Sequence, residues 1–461
     1  MANEDVATII KKTMLVHPAK PHPITALQLS NLDRKCPELM YLVFFYAKPL
    51  KNSSSNFLTE LREGLEETLS DWYPAAGRLM LDGEGKLNLD CNNFGALWVE
   101  AEAAEVRISE LGELSMADKF LKKLVFRPKV SSDGLFELPL VVVQVTEFGC
   151  GGYAVGIGTN HALFDGSANF NFINAWASKV SRRRDEQYHA EIFEPIHERG
   201  RLLIDHCHSH EIAHDTNNGI LAFDHLYQLI KQAVSLEDIG RKQLDEAYKI
   251  SEEGDEEEVV LRTFTVSKDM IEELKSKVDG GSCTSFEVLA AHLWKARTRA
   301  TQIPKERTVC LQFSIDIRPK LSPPLPRSFT GNAYVLSSIS TSSESLLQDP
   351  LSSVVHEIRQ AKNTVDDNYI RAYLVALEAP RYCDILPPLP ELLIVSDWRH
   401  TPFHEVDFGT GEAICAVPLA APVPEVAYFM KSSREEGGVD VRIGLMRKHL
   451  VGFCHCFLQT M

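Results

Sequence analysis

The stretch GTNHALFDGSANF places His161 four residues ahead of Asp165, with Gly166 directly after it. Imidazole takes up a proton near pH 7, so a histidine here could act as general base toward a hydroxyl or an amine. The plainer alternative is a polar residue at a turn, since a chain with 16 histidines readily shows one His-x-x-x-Asp by chance. Context gives the pair weight. The approaching segment YAVGIGTN is rich in small residues, and glycines in a strand let a backbone or a ligand come close. Beyond Gly158 the period changes, with Ala168, Phe172, Ile173 and Trp176 on one helical face and Asp165 or Ser167 as N-cap. His161 thus occupies a strand-to-helix connection, a place that commonly carries function.

The elements around this connection are those of an α/β protein. LMYLVFFYAKPL reads as a buried strand. In NFLTELREGLEETLSDWYP, Phe57, Leu58, Leu61, Leu65 and Leu69 recur at helical spacing until Tyr73-Pro74 stops the run. GKLNLDC and ALWVEAEA alternate as strands, and ELPLVVVQVTEF is apolar enough to be buried on both faces. In the second half VVLRTFTV, RTVCLQFSIDIRPKL and FTGNAYVLSSIS read as strands. Two helices begin at SKDM, capped by Ser267, and at CTSF, capped by Thr284 or Ser285. The last segment pairs a strand with a closing helix, although Cys454 and Cys456 in GFCHCF alternate with apolar residues as strand positions would. Mixed order of strands and helices implies two domains with mixed sheets: residues 1–184 carrying His161, a polar crossover at 185–218, and 219–461.

Bulk properties narrow the function. A chain of 461 residues exceeds what one core usually supports. With 48 Lys+Arg against 64 Asp+Glu the formal charge is −16, a surface that repels nucleic acid and anionic membrane. The one basic run, Arg182-Arg183-Arg184, reads as a solvated helix end. An anionic substrate would need a local cluster of cations working against the overall field. No apolar run is long enough to span a membrane, and MANEDVATIIKKTM carries no leader-like core, so a cytoplasmic protein with reduced thiols is expected. His206, Cys207, His208, His210 and His214 crowd the crossover, but no cysteine pair or acidic partner is positioned to complete a metal shell, and no metal is expected.

Three markers together exceed chance. Tyr73–Leu79 reads YPAAGRL, His161–Gly166 reads HALFDG, and Asp407–Gly411 reads DFGTG. In that order they resemble the BAHD family of plant acyl-CoA-dependent acyltransferases over nearly the whole chain, with Thr410 where tryptophan is usual. The resemblance implies two similar chloramphenicol-acetyltransferase-like domains of mixed sheet and helices with a channel between them. It implies that His161 takes the proton of an acceptor hydroxyl or amine, which attacks the thioester directly. No GxSxG-type nucleophile accompanies the motif.

The resemblance also distributes roles. Asp165, placed with the catalytic motif, is expected to support the loop by pairing with Arg318 in SIDIRPKL rather than to relay a proton. Asp407, Gly409 and Gly411 shape a structural turn. Ser396 is the candidate hydroxyl for the oxyanion, and Trp398 and His400 line the acceptor pocket. The position of His400 is held by a carboxylate-gripping arginine in shikimate- and quinate-using relatives. Ser267, Lys268, Thr284 and Ser285 offer hydroxyls and helix N-termini to the phosphates of CoA, and Gly331 and Asn332 line its pantetheine passage. Asn169 and Asn171 do not match the extended motif of malonyl-transferring members. The expected activity moves a hydroxycinnamoyl, benzoyl or aliphatic group from acyl-CoA to a plant specialised metabolite. Acyl-CoA is co-substrate rather than cofactor, and the enzyme is a monomer. The alternative is a silent accessory protein of the eceriferum type in wax elongation.

Overall fold

The strands of the N-terminal half assemble into two sheets, a six-stranded one that also takes in β13 (Cys415–Pro418) and a three-stranded one. The computed structural model describes residues 8–35, 37–48, 54–111, 118–129, 134–184, 193–203, 220–237, 259–278, 282–378, 389–419 and 425–458. Its strands are β1 (Ile9–Val16), β2 (Thr25–Leu27), β3 (Leu39–Tyr46), β4 (Arg78–Leu81), β5 (Leu87–Cys91), β6 (Ala96–Ala103), β7 (Val141–Phe148), β8 (Tyr153–Asn160), β9 (Val259–Val266), β10 (Thr308–Asp316), β11 (Tyr334–Ser342), β12 (Leu392–Asp397), β13 (Cys415–Pro418), β14 (Val426–Lys431) and β15 (Val439–Met446). Contacts divide the chain into two compact units. The first comprises Met1–Ile204, Leu325–Ala333 and Thr401–Ala420, and the second the remainder.

In the first unit the sheet runs β1-β6-β7-β8-β3-β13, all neighbours antiparallel except β6 and β7. A small antiparallel sheet, β2-β5-β4, stands beside it in the chain. All eight residues of β8 are buried. Its glycines serve protein neighbours: a Cβ at Gly158 would lie 2.6 Å from the Tyr41 ring, and one at Gly156 would run into the Leu124 carbonyl. The helices Ser54–Asp71 and Gly166–Arg184 pack on each other. Phe57, Leu61, Leu65 and Leu69 from one, with Phe172, Ile173 and Trp176 from the other, are fully buried, which accounts for their spacing. The Trp176 indole donates to the Leu61 carbonyl at 2.8 Å.

The basic run at the end of the second of these helices is more engaged than a solvated helix end. Arg183 pairs with Glu63 and Glu67, and Arg184 with Glu60 at 2.6 Å, all on the neighbouring helix.

The second unit repeats the plan. Its sheet runs β11-β10-β12-β14-β15-β9, with β10, β12 and β14 parallel and the outer pairs antiparallel. Helices Ser285–Ala300, Leu351–Asn363 and Leu450–Leu458 share a core with it that includes Trp294, Phe313, Phe429 and Phe453. Cys454 and Cys456 are therefore helical, not strand positions. Phe453, Cys456 and Phe457 form a buried face at helical spacing, and Phe264 of β9 packs on both phenylalanines.

Domain limits differ from the expected 1–184, 185–218 and 219–461. The segment bearing DFGTG groups with the first unit, because β13 pairs with β3 and Phe408 packs on Trp176 and Tyr46. In the crossover, Ile196 bridges to Phe329 within the same unit. The histidine cluster from His206 to His214 lies outside the described residues. Among the described residues no helix is long and apolar enough to cross a membrane.

His197, also from this crossover, is buried against Trp72 and Tyr73, its Nε2 bonded to the Asp71 carbonyl at 2.9 Å. Burial pushes its imidazole down to about 4, with the Asp71 carbonyl opposing. The folded protein keeps this ring neutral where the unfolded chain would already bind a proton. Its contribution to stability is thus full above pH 6.5 and is lost as the pH falls toward 4. Urea unfolding at pH 7 and pH 4 should show a loss smaller in His197→Gln than in wild type, by on the order of 3 kcal/mol.

Candidate active site

His161 leaves β8 one residue beyond the point where Asn160 pairs with Leu39 of β3. Its backbone N–H donates to the Glu38 carbonyl at 2.8 Å, and its carbonyl accepts from Asn332 Nδ2 at 2.7 Å. The Asn160 side chain shapes the same turn: Nδ2 donates to the Pro37 carbonyl, and Oδ1 accepts from Ala162 N–H at 2.9 Å. Ala162, Leu163 and Phe164 are buried, whereas His161 is half-buried. The loop therefore holds its main chain firmly while the imidazole itself stays half-buried.

Asp165 closes the turn, and of the two candidate caps it is the one used. Its Oδ1 accepts from Ala168 N–H at 2.9 Å at the start of the helix, and its Oδ2 from Ala333 N–H at 3.0 Å. Both carboxylate oxygens thus serve backbone amides, which is a supporting role. Arg318, the partner that the resemblance implies for Asp165, also meets Asp316 through its guanidinium at 3.2 Å. Asn169 and Asn171 are structural too: the first accepts from the Thr159 hydroxyl, and the second donates to the Arg327 carbonyl.

The DFGTG turn is built around Asp407, whose Oδ1 accepts from the amides of Gly409, Thr410 and Gly411 at 2.7–2.9 Å. Gly409 and Gly411 have φ of +79° and +97°, the left-handed region that glycine enters without strain. The Tyr46 hydroxyl donates to the Val406 carbonyl and the Ser181 hydroxyl to that of Asp407. Thr410, standing where the family has tryptophan, contributes only its amide to this arrangement.

In the second unit β12 ends at Ser396 and Asp397. The Trp398 indole donates to Ser396 Oγ at 3.0 Å, a bond that does not consume the serine's own proton, and its ring meets Tyr428 edge-on. Arg399 is held bidentate by Asp397 at 2.8 and 2.7 Å, while His400 is exposed. The Ser267 hydroxyl caps its helix through Met270 N–H, and Lys268 is exposed. Thr284, rather than Ser285, is the second cap, in a capping box with Glu287. Arg359 and Lys362 pair with that glutamate at 3.1 and 2.8 Å. Burial works to raise the Glu287 carboxyl, but bonds from Lys362, the Thr284 amide and Arg359 outweigh it and hold it below its usual range.

With this geometry in hand, comparisons with known proteins carry weight. A family model described as Transferase family matches residues 6–459. The chain belongs to the BAHD acyltransferases. It is 45% identical over 449 residues to the Brassinosteroid-related acyltransferase 1 of Arabidopsis thaliana, covering 94% of this chain and 93% of the relative. The Fatty alcohol:caffeoyl-CoA acyltransferase of Arabidopsis thaliana is 30% identical, over 94% of each chain. Among solved structures, vinorine synthase matches with a TM-score of 0.70 at 20% identity, covering 98% of each chain, a likeness of fold. This BAHD chain is thus an acyltransferase, and the reading as a silent accessory protein is not favoured.

Two expectations for the BAHD site need correction. Asn332 does not line a passage: it is fully buried, its side-chain amide bonded to Asp33 and to the His161 carbonyl. Gly331 is buried with it, and a Cβ there would lie 2.7 Å from Arg199 Nε. The residues missed are Asp33 and Arg199, a buried pair at 2.8 Å. LSNLDRK and HERGR gave no spacing signal, because partners 166 positions apart leave none.

Replacing Asp165 by alanine leaves Ala168 and Ala333 N–H without their acceptor and should cost about 2–4 kcal/mol in urea unfolding. Asparagine, which retains one carbonyl oxygen, should recover roughly half of that loss.

Proposed function

We propose that the enzyme transfers an acyl group from acyl-CoA to a hydroxyl or amine of a plant metabolite, with His161 as general base. The observation that carries this reading is a half-buried imidazole on a main chain held from both sides, by Glu38 and by Asn332. The imidazole takes the acceptor's proton as its oxygen or nitrogen attacks the thioester carbonyl. The tetrahedral oxyanion collapses by breaking the C–S bond, and the proton passes to the CoA thiolate. Ser396, whose hydroxyl still has a proton to donate, is the candidate stabiliser of the oxyanion, with Trp398 as a wall.

Support for a CoA donor comes from two sides. A relative covering almost the whole chain is named for caffeoyl-CoA. At the N-terminus of the helix Ser285–Ala300, Arg359 and Lys362 place two cations against the single carboxylate of Glu287, a local positive site on an acidic protein. Lys268 with the capped end at Ser267, and Ser285 beside Thr284, complete the phosphate-facing set. On the acceptor side, the arginine that follows Trp398 in the chain is occupied by Asp397. That arrangement, with a brassinosteroid-related relative at 45% identity, favours a neutral, hydroxylated acceptor of steroid type over a carboxylate. The same reading takes the protein to be a cytoplasmic monomer that needs no cofactor beyond its co-substrate.

CoA release should be followed with aromatic and aliphatic acyl-CoAs against hydroxylated steroids. His161→Ala should slow transfer about 10²- to 10⁴-fold, and undiminished release in that variant would end the base assignment. Ser396→Ala should lower kcat about 10²-fold or more while leaving KM for acyl-CoA close to wild type.

A further inference from the structure

Three chain segments far apart in sequence meet around one carboxylate. Asp33, in the turn Asp33–Lys35, is fully buried, as is its partner Arg199. Asp33 Oδ1 accepts from the backbone N–H and the Nδ2 of Asn332, both at 2.8 Å. Its Oδ2 accepts from Ser30 N–H at 2.9 Å, the Ser30 hydroxyl at 2.7 Å and Arg199 Nε at 2.8 Å. The second hydrogen of Asn332 Nδ2 goes to the His161 carbonyl at 2.7 Å, and Arg199 Nη2 donates to the Leu163 carbonyl at 3.3 Å. Arg199 Nη1 is anchored on the His197 carbonyl at 2.6 Å.

The direction of these bonds is forced. Both neighbours of Asn332 Nδ2 are acceptors, so rotating the amide would set oxygen against oxygen twice. Arg199 lies so close to the 331 backbone that only glycine fits there. Asp33 thus reaches, through one intermediary each, two of the first three carbonyls after β8. The same N-terminal segment grips the loop from its other side, where Glu38 and Pro37 accept from His161 N–H and Asn160 Nδ2. A buried ion pair is seldom the most stable filling for such a space, since apolar residues of like volume often do as well. What it supplies here is orientation.

We propose that Asp33 is a positioning residue for His161, acting through Asn332 and Arg199 to set the loop that aims the imidazole. This rests on the reading of His161 as general base. A misplacement of about 1 Å costs transfer on the order of 10²-fold, so loosening the clamp should slow the chemical step and leave ground-state binding nearly intact.

The test measures kcat and both KM values for Asp33→Asn, which keeps the shape, and Asn332→Ala, which leaves the Asp33–Arg199 pair in place. Each is made alone and combined with His161→Ala. The expected result is a kcat lowered about 10- to 100-fold with KM within about threefold. In the His161→Ala background neither change should slow the residual rate further, because an absent ring cannot be misaimed. The proposal is overturned by single variants with kcat within twofold of wild type, or by a fall that recurs undiminished on His161→Ala. Failure of both single variants to fold would assign the cluster to folding and equally overturn it. A His161→Ala enzyme as fast as wild type would remove the base reading itself, a result seen without any clamp variant.

Discussion

Between the end of β8 and the first turn of the helix Gly166–Arg184 the chain must reverse and still present one imidazole. The carboxylate of Asp165 makes this possible by answering two backbone needs at once. One oxygen takes Ala168 N–H, a donor that the opening turn of any helix leaves without an intrahelical partner, and the helix dipole favours its negative charge. The other oxygen takes the amide of Ala333 and so fastens the segment Leu325–Ala333 to the loop. That segment brings Asn332, whose side chain reaches the His161 carbonyl. A shorter or neutral apolar residue at 165 would release the cap and the segment together.

Charge is used differently at depth and at the surface. Arg183 with its glutamates aligns two helices from outside, and such exposed pairs contribute up to about 1 kcal/mol each, while the Arg184–Glu60 pair beside them is only partly exposed. The helices are held together mainly by their buried apolar faces, to which the Trp176–Leu61 bond and the close approach of Val180 to Gly64, where a Cβ would sit 2.5 Å from a methyl, add. Asp33 and Arg199 stand at the opposite extreme. Water is excluded from both, so each needs its full set of partners, and five protein donors supply the carboxylate.

How much of this was legible in the sequence depends on how local the cause is. The helix Ser54–Asp71, the strand β7 and the Asp165 cap follow from spacing and from side chains within four positions of their targets. The strand-to-helix connection holding His161 was legible for the same reason. Cys454 and Cys456 misled because a short apolar run fits either period, and only packing against Phe264 of β9 selects the helix. The resemblance implies a passage-lining role for Asn332, yet its partners are 299 and 171 positions away, and no local pattern records them. The placement of Asp407–Gly411 with the first unit is non-local in the same sense, decided by aromatic contacts to Tyr46 and Trp176.

The strand β13 has a consequence for synthesis. It forms the edge of the first sheet, pairing Cys415–Pro418 with Phe45–Leu42, although most of the second unit precedes it in the chain. A nascent polypeptide emerging from the ribosome can complete the second unit's early strands while β3 still shows a bare hydrogen-bonding edge. That edge closes only once Cys415–Pro418 have been made. Maturation of the first unit's sheet therefore waits on residues far downstream of its other strands, and the exposed edge of β3 is what a chaperone would have to shield in the interval.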